Sequence, residues 1–307
     1  MITTRGLVKR YGRVQALRGL DLEVPPRSVY GLIGQNGAGK TTTLRILAGL
    51  LLPEAGTAEV AGWDVVRHPR ELRRAVGYMP DFFGVYNDLR VGEYLEFYAA
   101  AYGLRGPAVA RLRDELLELV DLAVKKEEFV DTLSRGMQQR LCLARALIHD
   151  PEVLLLDEPA SGLDPLARVE MREILKELCR LGKTIVISSH ILSELADLCT
   201  HIGMVVDGRV VRQGTLAEML AGAQVRNIIL RCHGPAAPAQ KVLAGWPGAE
   251  IIRAGEEQVE FRLSGGPEEV AALLAEIVAA GVRVVHFAET ESSLEDTFVR
   301  LVREARA

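Results

Sequence analysis

Gly34-Gln-Asn-Gly-Ala-Gly-Lys-Thr41 is the stretch on which the reading of this chain turns. It fits the spacing GxxxxGK[ST], follows the apolar run Val29–Ile33 and precedes a helix-like run over Thr41–Leu51 that stops before Pro53. A strand entering glycines and leaving as a helix is the context the spacing needs. Without side chains at Gly34, Gly37 and Gly39, the backbone can wrap closely around an anion and turn its N–H groups toward phosphates at a helix N-terminus. Asn36 and Thr42 belong to the same loop. Lys40 adds a point charge, and the Thr41 hydroxyl is a hard oxygen suited to Mg²⁺. The plain alternative is a glycine-rich turn; the flanking strand and helix favour a nucleotide.

Outward from the loop, Val153-Leu-Leu-Leu-Asp157-Glu158 is a buried-strand pattern ending in two carboxylates. Asp157 would stand beside the Mg²⁺ shell and Glu158 would orient an attacking water, as paired acids at a strand end can. A solvated acidic pair is the alternative. Thr184–Ser188 is a second continuous apolar run, the pattern of parallel strands covered on both faces. Further strands are expected at Gly6–Val8, Leu20–Val24 and Val76–Met79. Asp207-Gly208 between two apolar runs predicts a tight hairpin.

Between Asp88 and Asp150 the period becomes helical. Val91, Leu95, Tyr98 and Tyr102 form one stripe; Val109, Leu112, Leu116 and Val120 a second; Met137, Leu141, Ala144 and Ile148 a third. This is a helical insert in an otherwise alternating chain. Beyond about Gly222 the pattern changes again. Strands are expected at Asn227–Cys232, Glu250–Arg253, Gln258–Leu263 and Val282–Phe287, with a turn over Pro235–Pro238. Helices are expected at Val270–Ala280 and Leu294–Arg306, making a small mixed domain. The boundaries read are 1–222 and 223–307.

Composition narrows the class. The chain has 307 residues, 49% hydrophobic and 25% charged, with net charge −4. That is globular rather than disordered, and it gives no basic surface for nucleic acid. The four cysteines, Cys142, Cys179, Cys199 and Cys232, have no metal-ligand or CxxC spacing and read as small buried side chains in a reducing compartment. The opening Met1-Ile-Thr-Thr-Arg shows no signal-peptide run, and nowhere do roughly 20 apolar residues follow one another as a spanning helix needs. A protein like this would be held at a membrane by another polypeptide.

Several motifs together resemble the ATP-binding cassette (ABC) family. Leu133-Ser-Arg-Gly-Met-Gln138 is similar to its signature sequence, Ser161-Gly-Leu-Asp164 to its D-loop, and His190, after Ser188-Ser189, to its switch histidine. Tyr11 stands where the family stacks an aromatic on adenine. The resemblance implies an α/β P-loop NTPase fold: a RecA-like parallel core, an antiparallel β subdomain and the helical insert, followed by the small C-terminal α+β domain. It implies a second cassette, a homodimer by default, with each ATP held between one copy's phosphate loop and the other's signature, where Ser134 and the Gly136 N–H would meet the γ-phosphate; Asp164 is a further nucleotide-binding candidate. Glu158 would polarise water and His190 would hold the γ-phosphate.

The alternatives for single residues are a plain N-cap at Ser134, a loop histidine at His190 and simple packing at Tyr11. Two departures stand out: Arg135 where the family has glycine, and Asp81, in Tyr78-Met-Pro-Asp81, where it has glutamine. Asp81 would be a third Mg²⁺ ligand with Thr41 and Asp157.

Phe82, Phe83, Val85 and Tyr86, with Tyr94 and Tyr98, would form a groove for a cytoplasmic helix of an integral membrane permease. Glu291-Ser-Ser-Leu-Glu-Asp-Thr-Phe298 resembles the closing motif of exporter ATPases whose transmembrane subunits are separate chains. The implied role is the ATP-hydrolysing subunit of an exporter, bound at the cytoplasmic face of the cell membrane. The competing role is a soluble cassette ATPase of translation or DNA repair; a single cassette without sustained heptads argues against it.

Overall fold

The computed structural model describes residues 1–81, 84, 88–191, 195–221 and 225–290. They divide into two compact units, Met1–Leu216 and Ala217–Ala307. In the first unit β1 (Ile2–Tyr11), β2 (Val14–Val24), β4 (Ala55–Val60) and β5 (Trp63–Asp64) form an antiparallel sheet in the order β2-β1-β4-β5. A second sheet has the order β10-β9-β3-β8-β7-β6. Its strands are β3 (Val29–Ile33), β6 (Val76–Met79), β7 (Val153–Asp157), β8 (Thr184–Ser189), β9 (His201–Val206) and β10 (Arg209–Thr215). All neighbours in it are parallel except β10, which pairs antiparallel with β9.

The continuous apolar runs explain the parallel core. β3 and β7 are buried at every position, so neither face alternates with solvent. Helix α1 (Lys40–Leu47) follows β3, and α2 (Pro69–Ala75) precedes β6. α1, β3 and β7 share one cluster of buried residues with the antiparallel sheet, among them Leu44, Leu32, Leu155, Leu20 and Val60. The helical stripes become α3 (Val91–Ala101), α4 (Pro107–Leu119) and α5 (Arg135–Leu147). Helix α6 (Pro165–Arg180) joins β7 to β8.

The first two strands extend further than their apolar residues suggest. β1 and β2 pair from Ile2 with Val24 to Tyr11 with Val14, with three register shifts that interrupt the alternation. β4 was not expected at all: four of its six residues are exposed, so its Ala-Gly-Thr-Ala run carries little apolar signal. α1 is shorter than Thr41–Leu51, since Gly49 turns left-handed behind the Ala48 cap. The Asp207-Gly208 turn has φ 47 and 78, the primed geometry expected.

α7 (Leu216–Ala221) spans the division between the units. The second unit runs β11 (Val225–Cys232), α8 (Ala237–Gly245), β12 (Ala249–Ala254), β13 (Gln258–Ser264), α9 (Pro267–Ala279) and β14 (Val284–Thr290). This is a βαββαβ chain whose antiparallel sheet has the order β12-β13-β11-β14, the ferredoxin-like arrangement. Ile228, Leu230, Phe261 and Leu263 of the sheet pack with Leu243 of α8 and Leu273 and Ile277 of α9. The turn expected at Pro235–Pro238 is the entry to α8, with Pro238 in its first turn, where a missing N–H costs nothing. The helix expected at Leu294–Arg306 and the motif Glu291–Phe298 lie outside the described residues.

Candidate functional site

The parallel strands end together, and the site grows from those ends. After β3 the chain bends through Gly34–Gly39 into α1. Gly39 has φ 110, and a Cβ on it would come within 2.8 Å of the Ala16 carbonyl oxygen, so only glycine fits. The loop is wound by its own backbone: Ala38 N–H donates to the Gln35 carbonyl at 3.1 Å, and Gly208 N–H donates to the Ala38 carbonyl at 3.0 Å. Lys40 is buried, and its ammonium donates to the Gly34 carbonyl at 2.7 Å. Gln35, Asn36 and Gly37 at the loop's crest are exposed, while Thr41 and Thr42 are half-buried on the first turn of α1. The crest is therefore open to a ligand at the positive end of a helix.

The next strand over but one supplies the acids. Thr41 Oγ1 donates to Asp157 Oδ1 at 3.1 Å, joining α1 to the end of β7. Ser188 Oγ, on β8, donates to the same Asp157 oxygen at 2.6 Å and accepts the Glu158 N–H at 3.0 Å. Ser188 was read only as part of a strand; the signal for it was a hydroxyl at the end of an otherwise apolar buried run. Glu158 has φ 51, an uncommon left-handed geometry for a side-chain-bearing residue. Its carboxylate lies 3.4 Å from Lys40 Nζ and 2.8 Å from His190 Nδ1. His190 is more exposed, with 43% of its side chain open against 14% for Glu158. Beside them burial, and then the Asp157 carboxylate, push the Tyr78 phenol above its usual pKa.

A second group sits on the first turns of α5 and α6. The Ser134 hydroxyl accepts from Met137 N–H at 3.3 Å, so the residue does cap α5. Asp164 caps α6 by accepting from Ala167 N–H at 2.9 Å. Gly136 packs between them: a Cβ there would stand 3.4 Å from Leu163 Cδ2. Both Ser134 and Asp164 are exposed.

Two further predicted residues make no hydrogen bond to these groups among the described residues. Tyr11 ends β1 with 46% of its surface exposed, and Asp81 is exposed just beyond β6. Of the expected apolar groove, Phe82, Phe83, Val85 and Tyr86 lie outside the described residues. Tyr94 is buried under Tyr98, with ring centroids 5.0 Å apart, and so takes no part in a surface. Tyr98 does line a hollow of about 200 Å³, with Tyr78, Tyr102, Arg73 and Arg145. Among the described residues no helix is long and apolar enough to cross a membrane.

A phosphate-binding loop opposite an acid-bearing strand, on a mostly parallel sheet, defines a P-loop nucleotide-binding ATPase core. The family described as "ABC transporter" matches residues 17–161, and "ATP-binding protein DrrA1-3-like, C-terminal domain" matches residues 214–302. The chain is 36% identical to the Nod factor export ATP-binding protein I of Ralstonia nicotianae, over 100% of its own length and 95% of that protein's. It is 35% identical to the daunorubicin/doxorubicin resistance ATP-binding protein DrrA of Streptomyces peucetius, over 98% and 92%. A solved ATP-binding subunit of an ABC transporter superposes with TM-score 0.66 at 31% identity, covering 72% of this chain and 92% of that one. A dimeric ATP-binding cassette bound to ADP and phosphate gives TM-score 0.64 at 26% identity, over 70% and 99%. The chain belongs to the ATP-binding subunits of ABC transporters, the cassette ATPases.

Proposed function

We propose that this chain is the ATP-hydrolysing subunit of an exporter, working as a pair of cassettes beneath separate membrane-embedded permease subunits at the cytoplasmic face. The observation that carries the reading is the convergence of Lys40, Thr41, Asp157, Glu158 and His190 at the ends of neighbouring strands of the parallel sheet. The names of the relatives, Nod factor export and drug resistance, support outward transport over the soluble-ATPase alternative.

In this reading the backbone of Gly34, Asn36, Gly37 and Gly39 wraps the phosphates, Thr42 contributes from the first turn of α1, and Lys40 neutralises charge. Thr41 and Asp157 present hard oxygens 3.1 Å apart, a donor set that fits Mg²⁺, with Asp81 as a further oxygen from the end of β6. The ion would neutralise phosphate charge when bound. Ser188 keeps the Asp157 carboxylate turned toward Thr41. Glu158, held from opposite sides by Lys40 and His190, accepts a proton from the attacking water and aims it; His190 steadies the γ-phosphate.

From a second copy, Ser134 and Gly136 at the start of α5 meet that phosphate, with Asp164 close by in the turn before α6. In the copy that holds the phosphates, Tyr11 stacks on the base. ATP then favours the closed pair, and hydrolysis removes that preference. The hollow bounded by Tyr98, Tyr102 and Arg145 receives a helix of the permease.

Glu158→Gln is the test. Turnover of the purified chain is expected to fall by roughly 10²–10⁴-fold while ATP stays bound and traps a dimer on size-exclusion chromatography. Wild-type hydrolysis in that variant would remove Glu158 from the mechanism.

A further inference from the structure

Arg135 is the residue at which this chain departs from a glycine, and its surroundings say what the guanidinium does. It opens α5, where the helix dipole is positive and a cation is disfavoured. No carboxylate pairs with it among the described residues. What it packs on is the turn Ser161–Asp164. The guanidinium lies over Gly162 so closely that a Cβ there would come within 2.6 Å of its Cζ and 2.8 Å of its Nη1. Gly162 also has φ 71, a backbone that itself favours glycine.

Two more contacts join the same two segments. Gln139 Nε2, on the next turn of α5, donates to the Ser161 carbonyl at 3.0 Å. A Cβ built on Gly136 would stand 3.4 Å from Leu163 Cδ2 and 3.6 Å from Ala167 Cβ, so the start of α5 runs close along the turn and the start of α6. From the other side Arg168 Nε donates to the Leu163 carbonyl at 3.0 Å. The turn is thus gripped by side chains from both helices, and Arg135 covers the one residue in it that has no side chain of its own.

We propose that Arg135 is a positioning residue: its flat guanidinium clasps Gly162, so that the Ser134–Gly136 segment and the Ser161–Asp164 turn shift as one body when another copy's nucleotide engages the first of them. This rests on the ATP-closed pair proposed above and adds the route by which engagement at α5 reaches the turn before α6. Planarity is the property that matters. A lysine at the same place is a point charge on a flexible stem and cannot lie flat over a Cα.

Backbone hydrogen exchange in the full chain tests this, in a Glu158→Gln background with and without Mg²⁺-ATP. With Arg135 present, ATP is expected to slow exchange about tenfold or more in both segments, as ordering of a loop does. Adding Arg135→Ala should leave the slowing at 134–138 and abolish it at 161–164; Arg135→Lys should behave as the alanine variant does. Full protection of 161–164 in the alanine variant would overturn the clasp. So would its return with lysine, or loss of the response in both segments, since either makes Arg135 a charge for the phosphate. If the Glu158→Gln chain shows no ATP response in either segment, the paired-cassette reading fails, and the clasp fails with it.

Discussion

Single residues at this site are legible to different degrees. Gly39 is forced by a carbonyl 2.8 Å from its missing Cβ, and the motif announces it in sequence. Ser188 is equally placed, between Asp157 and the Glu158 N–H, yet no motif calls for it; only the fold brings β7 beside β8. His149 is a case hidden altogether. Its Nε2 bonds the Val76 carbonyl at 3.0 Å, its ring stacks on Tyr102 at 3.8 Å, and its buried Nδ1 has no hydrogen-bond partner. Burial holds its pKa below the ordinary 6.5. The unfolded chain therefore binds the extra proton first, and stability falls as pH drops below about 6.5. His149→Gln, which keeps a donor for Val76, is expected to flatten that part of a urea-stability profile. An unchanged slope would mean the neutral ring contributes nothing.

Among elements, the strands of the parallel sheet are the most readable because they are buried on both faces, and a continuous apolar run needs no partner to be recognised. β7 ends in Asp157 with Glu158 next in the chain, so its packing sets where the acids stand. Leu155 is fully buried in the core shared with α1 and β3. Leu155→Ala is expected to cost about 2–5 kcal/mol in chemical unfolding. Nucleotide affinity should weaken too, because the Thr41–Asp157 contact depends on the register of β7 beneath α1. A loss under 1 kcal/mol would show that the sheet collapses around the gap. β4 and α8 escaped the sequence reading for opposite reasons. One is an exposed strand without alternation, and the other a short helix whose prolines read as a turn.

At the scale of the whole chain there are two units, each with its own core. Phe261 is fully buried at the centre of the second. Phe261→Ala is expected to remove about 3–5 kcal/mol from that unit, seen as lost exchange protection across 225–264. ATP binding at the phosphate loop should persist, since the loop, the acids and His190 all belong to the first unit. Loss of nucleotide binding in that variant would show that the two cores do not stand alone. The ferredoxin-like order of the second sheet was not legible: alternation marks strands and helices but says nothing of which edges pair, and the central β11 bonds to β13 and β14.

By itself the sequence determined the local chemistry: a glycine-bearing loop between an apolar run and a helix, an acid pair at the end of an apolar run, and an N-cap at Ser134. These follow from steric and hydrogen-bonding rules that act within a few residues. What the tertiary structure alone decided is how distant segments meet. Thr41 reaches Asp157 and Glu158 stands between Lys40 and His190 because parallel strands far apart in sequence end side by side, and Arg135 lies on Gly162 because α5 packs against the turn before α6. That juxtaposition is a property of strand order and packing, and no single stretch of chain encodes it.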